Sequence, residues 1–190
     1  LGPRPAALQH RMIEDASDYE VVPLAENDVS LGWHGNAILL RKGLTVHRTE
    51  RLDLPGLEPR GAVLAEVSTA SSAPVTIVGT HLGLLRPWRR LQLSKIAHRL
   101  ADTNVAHSIV GGDFNEWSST RGMEALSGSH SIVAPGKSFH ANRLLASLDR
   151  IGYSSAISAY EAGVDQSSMA RVSSDHLPVW ADLYFPPKED

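Results

Sequence analysis

Two runs of the chain, Ala62-Val63-Leu64-Ala65-Glu66-Val67 and Val75-Thr76-Ile77-Val78-Gly79, are almost continuously apolar. A strand that alternates polar and apolar residues lies at a surface, whereas one that is apolar throughout needs cover on both faces. These runs therefore require a sheet enclosed between layers. Ser108-Ile109-Val110 is a third short apolar run, ended abruptly by Gly111-Gly112-Asp113. Between the second and third runs, Leu93, Ile96, Ala97 and Leu100 recur at i, i+3, i+4 and i+7, with Arg90, Lys95 and Arg99 elsewhere on the wheel. Strand runs outnumber helices and the helices sit between them, which predicts an α/β fold with mixed sheets.

The remaining elements are read from local signals. Pro3 and Pro5 precede good helix formers from Ala6 to Glu14, and Tyr19 to Leu24 reads as a short strand. Gly35–Leu40 and Leu44–Val46 flank a Gly-containing turn and predict a hairpin. A second helix is expected from Ser119 to Leu126, ended by Gly128. Further strands are expected at Ser147–Tyr153, Ala156–Tyr160 and Leu177–Phe185. No repeat, charge block or linker divides the chain, so residues 1–190 are expected to form a single domain. Composition then excludes several chemistries. There is no cysteine, hence no disulfide, thiolate zinc site or thiol nucleophile, which fits a reducing compartment and a cytoplasmic location. A net charge of -3 offers no bulk attraction to nucleic acid, so general DNA binding is not favoured and phosphate recognition must be local. No apolar run approaches the roughly 18–20 residues that span a bilayer.

Polar groups stand where buried strands should end. Val78-Gly79-Thr80-His81-Leu82 presents an imidazole, and Gly111-Gly112-Asp113-Phe114-Asn115 a carboxylate and an amide. Ser173-Ser174-Asp175-His176-Leu177-Pro178 is a polar turn feeding an apolar strand. Loops at the carboxyl ends of strands are where α/β proteins place their ligand sites. Singly, each has a plainer explanation. His81 alone could be a structural histidine, Gly-Gly-Asp a simple turn, Asp175 a cap, Asp149 a surface charge and Arg150 a strand-edge residue. It is their combination that points to chemistry. A Gly-x-Ser-x-Gly elbow and a His-Glu-x-x-His zinc helix are both missing from the sequence, which argues against serine-hydrolase and zincin mechanisms.

Thr80-His81-Leu82, Gly112-Asp113-Phe114-Asn115, Leu148-Asp149-Arg150-Ile151 and Ser174-Asp175-His176-Leu177-Pro178 resemble, in order and approximate spacing, the motifs of the endonuclease/exonuclease/phosphatase superfamily. Gly35-Asn36-Ala37-Ile38-Leu39 resembles its upstream strand motif. The resemblance implies a DNase I-like four-layer α/β sandwich, two mixed sheets flanked by helices. It also implies a Mg²⁺- or Mn²⁺-dependent phosphoester hydrolase using a metal-activated water, a phosphodiesterase or phosphatase. By that resemblance Asp175 and Asp113 would serve the metal, and Asp113 would orient or deprotonate the attacking water. Asn115 would hold that water or a phosphate oxygen. His176 would contact the phosphoryl group with Asp149 fixing its tautomer, and His81 would be a second phosphate contact or the proton donor. Asn36, Arg86 and Arg150 are further substrate-binding candidates, and Phe139–Arg143 is a candidate pocket lining.

The family pattern also implies two N-terminal strands, one with an Asn and one ending in a metal-binding Glu, for which these residues have no counterpart. Two repairs are open: assembly with another copy as a homo-oligomer, or a native N-terminal segment outside these residues, and the second is favoured. The competing functional class is a catalytically impaired binding or scaffold member lacking the metal Glu. For the substrate, a nuclease is disfavoured, while a small bacterial phosphodiesterase and a lipid- or sugar-phosphate hydrolase remain equally open.

Overall fold

In a computed structural model, residues 9–103 and 105–185 are described. The two apolar runs and the third lie together in a six-stranded sheet. Its strands are β3 (Thr45–Leu54), β4 (Arg60–Ser68), β5 (Val75–His81), β6 (His107–Asp113), β7 (His130–Val133) and β8 (Asp149–Ser154), in the order β3-β4-β5-β6-β8-β7. Only β5 and β6 run parallel, and every other neighbour pair is antiparallel, so the sheet is mixed. Parallel neighbours require a crossover, and helix α2 (Arg86–Ala101) provides it. Leu93, Ile96 and Leu100 of α2 pack with Leu64, Val78 and Val110 of the sheet and with Phe114, each nearly or fully buried.

The opposite face of β3, β4 and β5 is covered by β1 (Tyr19–Val21) and β2 (Leu39–Arg41), an antiparallel pair. Val22, Leu24, Ile38 and Leu40 pack there against Val63, Ala65 and Val67. A second antiparallel pair, β9 (Ser158–Val164) with β10 (Val179–Tyr184), carries the carboxyl-terminal segment. Short helices α1 (His10–Ala16), α3 (Glu124–Ser127) and α4 (Ser168–Ser173) complete the elements. This is the expected mixed α/β architecture, with the smaller sheet material present as two separate antiparallel ladders. Among the described residues no helix is long and apolar enough to cross a membrane.

Several boundaries differ from expectation. The expected hairpin does not form: β2 pairs with β1, and the run after Gly43 extends to Leu54 and pairs with β4. Gly43 still turns the chain, at φ +94°, but the two arms part to opposite layers of the sandwich. The helix expected from Ser119 to Leu126 shortens to the single turn of α3, because the hydroxyl of Ser118 and the carboxylate of Glu124 engage the backbone of residues 120–122 in turns. The helix expected from Ala6 begins at His10, its first residues lying outside those described. The short strand β7 and the helix α4 carry no periodic signal.

Of the two glycines ahead of Asp113, only one is required by geometry. Gly112 has φ +145°, and a Cβ built on it would stand 1.8 Å from the carbonyl oxygen of Thr80 on β5. A Cβ on Gly111 would meet nothing within 4 Å. Gly112→Ala is therefore expected to cost about 3 kcal/mol or more, seen as a lower urea midpoint, with Gly111→Ala as the tolerated control.

Candidate active site

The parallel register of β5 and β6 sets His81 opposite Asp113, and the antiparallel register of β6 and β8 sets Asp113 opposite Asp149. Residues directly across neighbouring strands point to the same face. One row of three strands thus presents an imidazole and two carboxylates side by side. Asp113 Oδ2 is 3.4 Å from His81 Nε2, and its other oxygen accepts the Asn115 N–H at 2.7 Å. Asn115 takes the left-handed conformation, φ +49°, and its side-chain amide donates to the Leu82 carbonyl at 2.8 Å. The turn after β6 is thereby fastened to the end of β5.

His176 reaches this row from the loop between α4 and β10. Buried Leu177 anchors the loop, and its N–H donates to the Ser138 carbonyl. The His176 Nδ1 donates to Asp149 Oδ2 at 2.8 Å, and the Ser138 hydroxyl donates to the same oxygen. A carboxylate has no proton to give, so Nδ1 carries it and Nε2 is presented forward, 3.8 Å from Asp113 Oδ2. Asp113 Oδ2 therefore faces two imidazole Nε2 atoms. The two histidines are tuned apart. Burial, together with the Arg60 guanidinium, lowers the His81 pKa against the opposing pull of Asp113. For His176, burial is outweighed by the hydrogen bond and charge of Asp149, and the pKa rises.

The other sequence candidates are placed differently. Asp175 is exposed, and its carboxylate accepts from the Ser174 hydroxyl. The Asn36 amide donates to the carbonyls of His34 and Gly61, closing its own turn onto β4. Arg86 and Arg150, expected at the substrate, both serve Glu116 and its loop. Arg86 forms a two-pronged pair with the Glu116 carboxylate, at 3.0 and 2.6 Å. Arg150 is 4% exposed and lies on the face of β8 opposite Asp149, donating to the carbonyls of Glu116 and Ser118. The alternation of side chains along β8 separates the two: when Asp149 faces the site, Arg150 cannot.

Glu116 is the residue that motif reading passes over. It is 1% exposed, and its carboxylate also accepts from Arg89 at 2.8 Å and from the Ser118 N–H at 2.9 Å. Burial raises its pKa, but the Arg86 and Arg89 hydrogen bonds prevail and bring it to about 2. Arg89 in turn binds the carbonyls of Gly83 and Leu84, in the loop that follows His81. Glu116 thus knots the loop after His81 to the loop after Asp113. Its position next to Asn115, together with the basic run from Arg86 to Arg90, is the only sequence signal for it. Arg60, also unread in the sequence, stands at the start of β4 close enough to depress His81, with its Nε buried and unpartnered. The site itself is an open row at the carboxyl ends of β5 and β6. A cavity of about 500 Å³ lined by Glu50, Thr76 and Arg99 lies at the far end of β5.

Comparison with known proteins bears on the family and the fold. Residues 4–176 match the model of the endonuclease/exonuclease/phosphatase family. An uncharacterized protein, YbhP of Escherichia coli K12, is 25% identical over 162 residues, covering 80% of this chain. The chain spans 64% of the length of that relative. Among solved structures, a protein of unknown function from Enterococcus faecalis superposes with a TM-score of 0.76 at 18% identity, covering 93% of this chain and 81% of that one. An endonuclease/exonuclease/phosphatase from Bacteroides vulgatus gives 0.74 at 17% identity, with coverages of 94% and 82%. The mannosyl-6-phosphatase Bt3783 of Bacteroides thetaiotaomicron gives 0.71 at 16% identity, with coverages of 88% and 78%. These likenesses carry the fold, and the match over residues 4–176 carries more: the chain belongs to the endonuclease/exonuclease/phosphatase family.

Proposed function

We propose that this protein is a divalent-metal-dependent phosphoester hydrolase whose working groups are His81, Asp113, Asn115, Asp149 and His176. The observation that carries this reading is the row His81–Asp113–Asp149 across three adjacent strands, closed by the His176–Asp149 hydrogen bond at 2.8 Å. Family membership and the likeness to a mannosyl-6-phosphatase support the reaction class.

Cleavage of a phosphoester by water forms one P–O bond, breaks another, and moves a proton from the water to the departing oxygen. Asp113 Oδ2, flanked by two imidazoles, is positioned to take the proton of the attacking water. His176, raised by Asp149, keeps positive charge to higher pH than a free imidazole and can neutralise a phosphoryl oxygen through Nε2. His81, lowered by burial, is neutral near pH 7 and suits a hydrogen bond to a second phosphoryl oxygen. Asn115 holds the turn that carries Asp113, and Arg60, paired with Glu58 at 2.7 Å, stands close enough to His81 to disfavour its charged form.

Among the described residues no group of three His, Cys, Asp or Glu side chains is gathered as a cage. Mg²⁺ or Mn²⁺ does not need one, since such ions keep several waters and bind through one or two carboxylates. Asp113 and exposed Asp175 are oxygen donors of the right kind and would hold the ion, which when bound would polarise a phosphoryl oxygen.

The test is a panel of phosphomonoesters and phosphodiesters assayed with Mg²⁺ or Mn²⁺ and again after chelation. Turnover that is lost to chelator and restored by either ion is expected. A metal-saturated, folded protein that turns over nothing and binds no Mg²⁺ or Mn²⁺ in calorimetry would overturn the assignment in favour of a binding protein.

A further inference from the structure

Trp117 follows Glu116 and is 64% exposed, an unusual position for an indole so near a catalytic row. The backbone on both sides of it is pinned. Arg150 donates to the carbonyls of Glu116 and Ser118, at 3.2 and 3.5 Å, and the Glu116 carboxylate accepts the Ser118 N–H. The ring meets Phe139 at 6.5 Å between centroids, with planes at 83°. An edge contact of this kind covers at most one face of the indole. Phe139 packs in turn on His176, at 4.9 Å. The exposed indole therefore stands one ring removed from the imidazole assigned to the phosphoryl group, on a loop that buried charges hold rigid.

A rigid, exposed aromatic beside a polar centre is the arrangement of a stacking platform: little freedom is lost on binding and the π-face is already bare. A flat aromatic ring matches such a face over its whole area, whereas a sugar ring offers it only C–H edges and an acyl chain only scattered dispersion contacts. Resting on the phosphoesterase reading, we propose that Trp117 is a specificity-determining residue that stacks a planar aromatic ring of the substrate, so that the preferred phosphoesters carry a nucleobase or another aryl group.

The test pairs esters of equal phosphate charge: adenosine monophosphate and phenyl phosphate against glycerol phosphate and mannose 6-phosphate. Steady-state kinetics are read where turnover occurs, and calorimetric Kd values are read in every case, so that a protein without turnover still tests the stacking site. A stacked ring contributes about 1–3 kcal/mol, which corresponds to roughly 5- to 150-fold in affinity. Wild type is expected to favour the aromatic esters by about tenfold or more in KM or Kd. Trp117→Ala is expected to remove that preference with kcat unchanged and the aliphatic esters unaffected, and Trp117→Phe to restore part of it. Tighter binding of adenosine monophosphate than of phenyl phosphate assigns the ring as a nucleobase, and the reverse order assigns a simpler aryl group. Equal affinity of wild type for both classes, or a Trp117→Ala variant that keeps the preference, would overturn the proposal. Turnover without aromatic preference defeats this inference alone, while aromatic binding by a protein that turns over no monoester or diester and binds no Mg²⁺ or Mn²⁺ defeats the hydrolase reading alone.

Discussion

Replacing His176 by alanine is expected to lower kcat for phosphoester hydrolysis on the order of 10³-fold while leaving the circular dichroism spectrum and urea midpoint near wild type. The ring is a quarter exposed and sits on a loop anchored by its neighbour Leu177, so the fold does not depend on it. Its chemical role does depend on its partners. Nδ1 is committed to Asp149, and Nε2 is therefore the atom turned toward Asp113 and, in the proposed reaction, toward substrate. Asp149→Asn keeps the shape of that partner but weakens the hold on the tautomer and the charge. Its expected loss is smaller, about 10- to 100-fold, as for other groups that orient a working histidine. The two variants also differ in pH dependence. Asp149 is the chief cause that raises the His176 pKa, so the pH at which His176 loses its proton should fall in Asp149→Asn. NMR titration of the imidazole reads this directly, and an unmoved titration would contradict the assigned pair.

Glu116→Ala should have the largest effect on stability. The carboxylate is 1% exposed and accepts hydrogen bonds from two guanidinium groups, one of them, Arg89, itself 4% exposed. Removing one partner of a buried ion pair leaves the other charge uncompensated and costs about 3–5 kcal/mol. For a domain of this size each kcal/mol moves Tm by about 2–4 °C, so a fall of roughly 10 °C is expected. The pH dependence has a fixed sign. The folded pKa, about 2, lies below the ordinary carboxylate value of 4.5. Stability from this group is therefore fully present above pH 4.5 and is lost as pH falls from there toward 2. The shift corresponds to roughly 3 kcal/mol. Urea titrations at pH 7 and pH 3 check this: wild type should lose more stability over that interval than Glu116→Gln, which has already lost the contribution. Equal losses would show that the knot does not carry the charge assigned to it.

The legible and illegible parts of the molecule divide along physical lines. The strands now labelled β4, β5 and β6 announce themselves because burial on both faces demands continuous apolar runs. The helix between the last two shows its period because one face meets the sheet. His81 and Asp113 can be proposed from sequence as strand-end polar groups and Asp149 from the family resemblance, but their alignment in one row comes from register, which a single run does not state. The surroundings of Arg86 and Arg150 are illegible for a related reason. A guanidinium suits a phosphate and a buried carboxylate equally well. Which one it meets depends on Glu116, whose burial no local pattern reveals. The lost hairpin has the same origin, since a Gly turn bends the chain but does not choose the strand's partner. Short elements such as β7 and α4 hold too few residues for a period to emerge.

In the proposed function the row His81–Asp113–Asp149 with His176 hydrolyses phosphoesters with the aid of a divalent cation. That function is tested most directly by measuring phosphoester turnover in wild type and in Asp113→Ala, side by side, with saturating Mg²⁺ or Mn²⁺ and with chelator. Metal-dependent turnover is expected in wild type, and its loss in an Asp113→Ala variant that remains folded. Undiminished turnover in that variant, or turnover in wild type that chelation leaves untouched, would contradict it.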